Sequence, residues 1–191
     1  EQTLRFTAKP GDIVDHIVPT PWENLDLLPS HPTLDELHAK LESRYKIYKL
    51  RDALEEISET YDRIYVDTPP ALNFYTRSAL IAAKGCLIPF DCDDFSRRAL
   101  YTLLDNVQEI RADHNDDLQV SGIVVNQFQP RATLPQKLVQ ELIDEGLPVL
   151  QPYLSASVKV KESHQLSRPM VHLDPRHKLT QELIQLHDAL A

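Results

Sequence analysis

The run "YDRIYVDTPP", residues 61–70, sets one acidic residue, Asp67, after an apolar stretch and before two prolines. Residues 64–66 predict a buried strand that delivers a carboxylate to its carboxyl end. Pro69 and Pro70 fix φ and lack an N–H, so they turn the chain out of the sheet. A carboxylate held there can take Mg²⁺ through water, because Mg²⁺ keeps much of its hydration and uses one or two carboxylates plus phosphate oxygens. It can equally cap the following turn, a common task for Asp. The run by itself leaves both readings open. Other chemistries find less support. Cys86 and Cys92 suit neither a disulfide framework nor the tight pairs of a zinc site, and read as reduced thiols. The eight histidines show no His-x-x-x-His or Cys/His metal spacing, and no Gly-x-Ser-x-Gly elbow is present.

The elements that must position Asp67 alternate along the chain. Residues 1–22 are polar and broken by prolines, an irregular lead-in with room for one short helix. Residues 24–30 predict a short strand closed by Pro29. Thr33 and Glu36 have the spacing of a capping box, at the start of one or two helices over 33–60 with Leu50, Ala53, Leu54 and Ile57 on one face. After the strand at 64–66 come a helix at 74–83, a strand at 86–90 and a helix at 96–112 with Ala99, Leu103, Val107 and Ile110 inward. A strand at 118–128, a helix at 134–145 stopped by Gly146, a strand at 147–151 and a helix near 176–190 complete the pattern. The leucine stripe of that last helix, Leu179, Leu183, Leu186 and Leu190, reads as core packing. Short apolar strands between amphipathic helices predict an α/β, doubly wound, mainly parallel sheet covered on both faces. Ligands of such sheets bind at the carboxyl ends of the strands, which selects 67–70, 91–95, 126–131 and 152–159.

Composition narrows the classes. The 191 residues suffice for one substantial core, and 42% hydrophobic with 26% charged residues predicts a soluble globular chain without a bilayer-spanning run. The net charge of -9 argues against a uniformly basic nucleic-acid binder while leaving room for a local basic patch.

Taken whole, "YDRIYVDTPPALNFYTRSALIAAKGCLIPFDCDDFSRRAL" (61–100) resembles the Walker B and switch II region of the ParA/MinD group of ATPases, in its ParA (Soj-like) partition branch. "ENLDLLPS" (23–30), "GIVVNQFQPRATL" (122–134) and "RPMVHLDPRHKLTQEL" (168–183) are similar to the family's segments on either side, so the likeness covers residues 20–190. The resemblance implies a P-loop ATPase fold and roles for particular residues. Asp67 becomes the Walker B carboxylate serving Mg²⁺. Asn126 addresses the adenine edge, its amide being donor and acceptor together, and Pro152 begins the backbone wall around the base. Arg131 and Lys159 match positions that touch DNA phosphates, with Arg97, Arg98, Lys161 and Arg168 able to extend the patch. "KVKESHQLSRP" departs from the usual family sequence at the second of these positions. The implied cofactors are ATP/ADP and Mg²⁺. The implied partners are nonspecific DNA, a ParB-like activator and a second copy in the ATP state, without a membrane, in a cytoplasmic, nucleoid-associated setting. A noncatalytic module of the same fold, or an ATPase that positions other cargo, are the rivals.

One family feature has no counterpart. The glycine-rich phosphate loop works through backbone N–H groups aimed at phosphates, yet Gly11 is the only glycine before Asp67. Residue 1 is Glu and the only Met is Met170. The expectation is a fragment lacking the N-terminal P-loop segment, with residues 23–191 forming the C-terminal major part of one ATPase domain, inactive by itself.

Overall fold

A computed structural model describes residues 13–43 and 45–190, Asp35 by its backbone alone. The chain divides into two compact units, residues 1–84 with 108–118 and residues 85–107 with 119–191.

The first unit is built from helices and loops. A 3₁₀ turn, Val14–His16, precedes a two-residue hairpin of β1 (Val18–Pro19) and β2 (Asp26–Leu27), paired antiparallel. The helices are α1 (Leu34–Ser43), α2 (Lys49–Glu55) and α3 (Phe74–Ala82). Ile13, Ala53 and Ile57 form its buried cluster, with Ile17, Leu54 and Tyr61 against them. Ala53, Leu54 and Ile57 of the expected apolar face pack here, and Leu50 is not part of the cluster. The Thr33 hydroxyl, expected to open a capping box, lies 2.9 Å from Nδ1 of His31. Asn73 caps α3, its side-chain oxygen accepting from the backbone N–H groups of Tyr75 and Thr76 at 3.0 and 3.1 Å. The Asn115 amide donates to the carbonyls of Leu80 and Ala83, satisfying orphan acceptors at the end of α3.

Two expected strands of this unit take another form. The segment at 24–30 contributes only β2, and Leu25, Leu27 and Leu28 are exposed. Residues 64–66 carry no strand, and Ile64, Tyr65 and Val66 are 40%, 66% and 40% exposed. Apolar character gives a segment the means to be a strand, but a ladder also needs a partner. No strand pairs with 64–66 among the described residues.

The second unit holds the parallel sheet and its covering helices. β3 (Gly85–Asp91) runs parallel to β4 (Gln119–Asn126), and α4 (Asp94–Asp113) connects them, as a parallel pair requires. The register pairs Ile88 with Ile123, Phe90 with Val125 and Asp91 with Asn126. The strand expected at 147–151 is reduced to a single parallel bridge, Val149 to Ile123, and a second isolated bridge joins Ser155 to Phe128 beyond it. Ile88, Phe90, Ile123 and Val125 lie buried with Leu100 of α4 and with Leu138, Val139 and Leu142 of α5 (Thr133–Asp144). Each such side chain contributes about 1.5–3 kcal/mol on burial. The inner stripe of α4 begins at Leu100, since Ala99 is exposed. On the other face Val124, Leu150 and Leu154 pack with Leu179, Leu183 and Leu186 of α8 (Lys178–Ala189). Strand alternation thus feeds two cores, and helices lie on both faces. The short helices α6 (Lys159–Gln165) and α7 (Met170–Leu173) complete this unit.

Two glycines are fixed by geometry. A Cβ on Gly122 would run into the side chain of Leu150, so the strand approaches its neighbour as only glycine allows. Gly146 ends α5 with φ +77, a conformation that costs glycine little.

Candidate functional site

The carboxyl ends of β3 and β4 face two loops of the second unit, residues 127–132 and 151–158. Backbone bonds lace the second loop to the sheet. Leu154 N–H donates to the Val125 carbonyl and Phe128 N–H to the Leu154 carbonyl, each at 2.9 Å. Gln127, directly after β4, sits at φ 51, a left-handed conformation uncommon for a non-glycine residue. The ring of Phe128 meets that of Tyr153 edge-on at 4.8 Å. Between the loops opens a cavity of about 560 Å³, lined by Phe128, Gln129, Pro130, Arg131, Ala132, Ser155 and Ala156. An aromatic face, apolar walls, an amide and a guanidinium suit a flat, polar-edged ligand of modest size.

The expected site residues fall as follows. Asn126 is half-buried at the end of β4, and its Nδ2 donates to Oδ1 of Asp91, its register partner, at 3.0 Å. A carboxylate only accepts, so this bond turns the amide's NH₂ toward Asp91 and leaves its carbonyl oxygen for another donor. Pro152 is half-buried and follows a cis Gln151–Pro152 bond, while the wall facing the cavity comes from Ser155 and Ala156. Arg131 lines the cavity and is exposed. Lys159, the first residue of α6, is held by Glu162 at 2.9 Å. That hydrogen bond and its charge raise the Lys159 pKa. Arg97 is likewise engaged, 2.6 Å from Glu141. Asp67 belongs to the first unit, exposed within the strandless segment.

Three residues at the site carried little signal in sequence. Asp91 opens the acidic run "DCDD", and its pairing with Asn126 depends on strand register. Its neighbour Cys92 has a pKa pushed up to about 11 by burial and by the negative charges of Asp91 and Asp93. Ser155 and Glu182 are 27 residues apart, yet the Glu182 carboxylate accepts from both the backbone N–H and the hydroxyl of Ser155 at 2.8 Å. Burial pushes the Glu182 pKa up, but these bonds and Lys178 outweigh it and leave the group below its ordinary value.

Nucleotide and Mg²⁺ can be tested against these residues. The cavity offers aromatic, amide and guanidinium groups of the kind a nucleotide base can use, while Asn126 and Pro152 are not among its lining residues, and Asp67 is an exposed carboxylate of the type Mg²⁺ accepts alongside water and phosphate. No group of three or more His, Cys, Asp or Glu residues able to hold a metal occurs among the described residues. Gly85, Gly122 and Gly146 are scattered in the fold and offer no glycine-rich cradle for phosphates. No helix among the described residues is long and apolar enough to cross a membrane.

Comparison with known proteins agrees with this architecture. An AAA domain family model matches residues 2–120. The chain is 28% identical over 185 residues to the sporulation initiation inhibitor protein Soj of Bacillus subtilis, covering 95% of this chain and 72% of Soj. It is 27% identical over 178 residues to the chromosome partitioning protein ParA of Caulobacter vibrioides, covering 91% and 67%. Cobyrinic acid a,c-diamide synthase from Mycobacterium smegmatis, with bound ADP and magnesium, superposes with TM-score 0.78 at 24% identity, over 93% of this chain and 66% of that one. The chain thus spans about two thirds of the length of the proteins it resembles. With its two-faced α/β sheet and these matches, the chain belongs to the AAA domain family, in the ParA/MinD group of P-loop ATPases.

Proposed function

We propose that this chain carries the base side and the Walker B carboxylate of a ParA-type ATPase that partitions plasmid or chromosomal DNA. The observation that carries the reading is the cavity at the carboxyl end of β4, walled by the loops at 127–132 and 151–158. A doubly wound sheet places ligands at such a position.

Each residue then has a task. Asn126, with one amide N–H donated to Asp91, presents its carbonyl oxygen to the exocyclic amine of adenine. Phe128 and the backbone around Pro152, Ser155 and Ala156 exclude water from the base. Asp67 would hold water of a Mg²⁺ shell, and a bound ion would supply charge neutralisation at the phosphates. ATP and water are converted to ADP and phosphate. Around this chemistry we place a homodimer in the ATP state that binds DNA nonspecifically through Arg131 and Lys159, and a ParB-like protein that stimulates hydrolysis. The sequence contains no glycine-rich phosphate loop, so the isolated chain is expected neither to bind ATP tightly nor to hydrolyse it.

The test is ATP hydrolysis by the intact protein. Asp67→Ala should lower the rate about a hundredfold or more, and the isolated 191-residue chain should show none above blank. Undiminished turnover in the Asp67 variant would remove the Walker B assignment. Turnover by the isolated chain would remove the proposed division of the site.

A further inference from the structure

The wall of the cavity formed by Ser155 has no strand beside it beyond a single bridge to Phe128. Its placement comes from behind, from α8. Glu182 Oε2 accepts from the Ser155 backbone N–H and Oε1 from its hydroxyl, each at 2.8 Å. Lys178, one turn earlier, donates from Nζ to the Ser155 hydroxyl oxygen at 2.8 Å and lies 3.3 Å from Glu182 Oε1. Both lone functions of the hydroxyl are thereby used: its proton goes to Glu182 and its oxygen receives Lys178. A serine so saturated, beside a lysine paired to a carboxylate, lacks the free base that nucleophilic catalysis needs. The cluster's chemistry is fixation.

The anchoring is well placed for that work. The Glu182 side chain is only 12% exposed, and Leu179, Leu183 and Leu186 of the same helix are packed in the core. His177 caps the first turn of α8, with Nδ1 accepting from the Leu179 N–H at 3.1 Å. A rigid helix therefore carries the carboxylate, and the carboxylate fixes one backbone N–H of the loop.

We infer that Glu182, assisted by Lys178, is a positioning residue that sets the Ser155 wall at the distance the base requires. The inference rests on the nucleotide reading for its ligand, but the brace itself is independent of it. Loss of the carboxylate would leave the half-buried Ser155 N–H without its acceptor and let the wall move outward.

Two measurements on the intact protein test it. In the first, ADP and inorganic tripolyphosphate are titrated calorimetrically into the parent, Glu182→Ala, Glu182→Gln and Lys178→Met. Glu182→Ala should weaken ADP binding about tenfold or more at unchanged stoichiometry, and tripolyphosphate, which has no base, should bind equally well. Gln keeps one acceptor oxygen and should fall between. A merely structural loss would lower the stoichiometry and leave the affinity of the remaining sites alone. In the second, amide exchange at Ser155 is followed without ligand, and it should accelerate in Glu182→Ala, with Glu182→Gln and Lys178→Met as variants that fold if Ala does not. Equal ADP affinity in parent and variants, or unchanged exchange at Ser155, overturns the brace. A parent that fails to bind ADP while exchange still responds overturns the nucleotide reading and leaves the brace standing.

Discussion

Single residues at the carboxyl end of the sheet have chemistry set by their neighbours. Cys92 stands between Asp91 and Asp93, and burial together with those two charges raises its pKa to about 11. A raised thiol pKa keeps the group protonated until the pH approaches that value, so at pH 8 about one molecule in a thousand carries the thiolate. With Cys86 replaced by Ser, iodoacetamide should modify Cys92 roughly a hundredfold more slowly than free cysteine at pH 8. Replacing Asp91 and Asp93 by Asn should speed the reaction. A parent rate equal to that of free cysteine would contradict the assigned environment. Asp93 is also occupied, its Oδ1 accepting from the Ser96 N–H at 2.7 Å as α4 begins. That bond holds its carboxyl below the ordinary range.

Elements differed in how much of them local sequence specified. Asn73 and the helix after it were a local matter, and the cap predicts its own test: Asn73→Ala should cost about 1 kcal/mol, measured by urea unfolding, while Asn73→Asp should retain most of it. The helices α3, α4, α5 and α8 were legible because a 3.6-residue apolar period needs no partner to be seen. Even there the inner stripe of α4 was set one residue early, at exposed Ala99 rather than buried Leu100. The helices α6 and α7 went unseen because "KVKESHQ" has no apolar stripe and Met170–Leu173 is a single turn. Residues 64–66 show the opposite failure. Their apolar, β-branched character was read correctly, but strand formation is a property of two segments. The site divided along the same line. Asn126 was visible as a polar residue ending a strand, and Asp67 was expected at the end of a strand that does not form, whereas Asp91 depends on register and Glu182 on the docking of α8. No spacing rule links Ser155 to Glu182.

For the whole molecule the proposal that can be read out most directly is DNA binding. The net charge of -9 means that attraction to DNA has to be local, carried by few cations against an unfavourable background. Each phosphate contact contributes about 0.9 to the slope of log affinity against log salt. Arg131→Ala combined with Lys159→Ala should therefore weaken duplex binding and flatten that slope by about 1.8. Arg131→Ala alone should flatten it by about 0.9, and Lys159, engaged by Glu162, has to exchange that partner for a phosphate to supply the rest. Identical slopes in parent and double variant would remove these residues from the DNA surface.

The close approach of Gly122 to Leu150 carries a consequence for the chain's history. A methyl group at position 122 collides with the leucine, so a side chain is not admitted at 122 while Leu150 keeps its place. The dependence runs one way: position 150 can lose volume while glycine faces it, whereas alanine at 122 becomes acceptable only after that loss. The order of those two substitutions in a lineage is thus constrained by a single van der Waals contact.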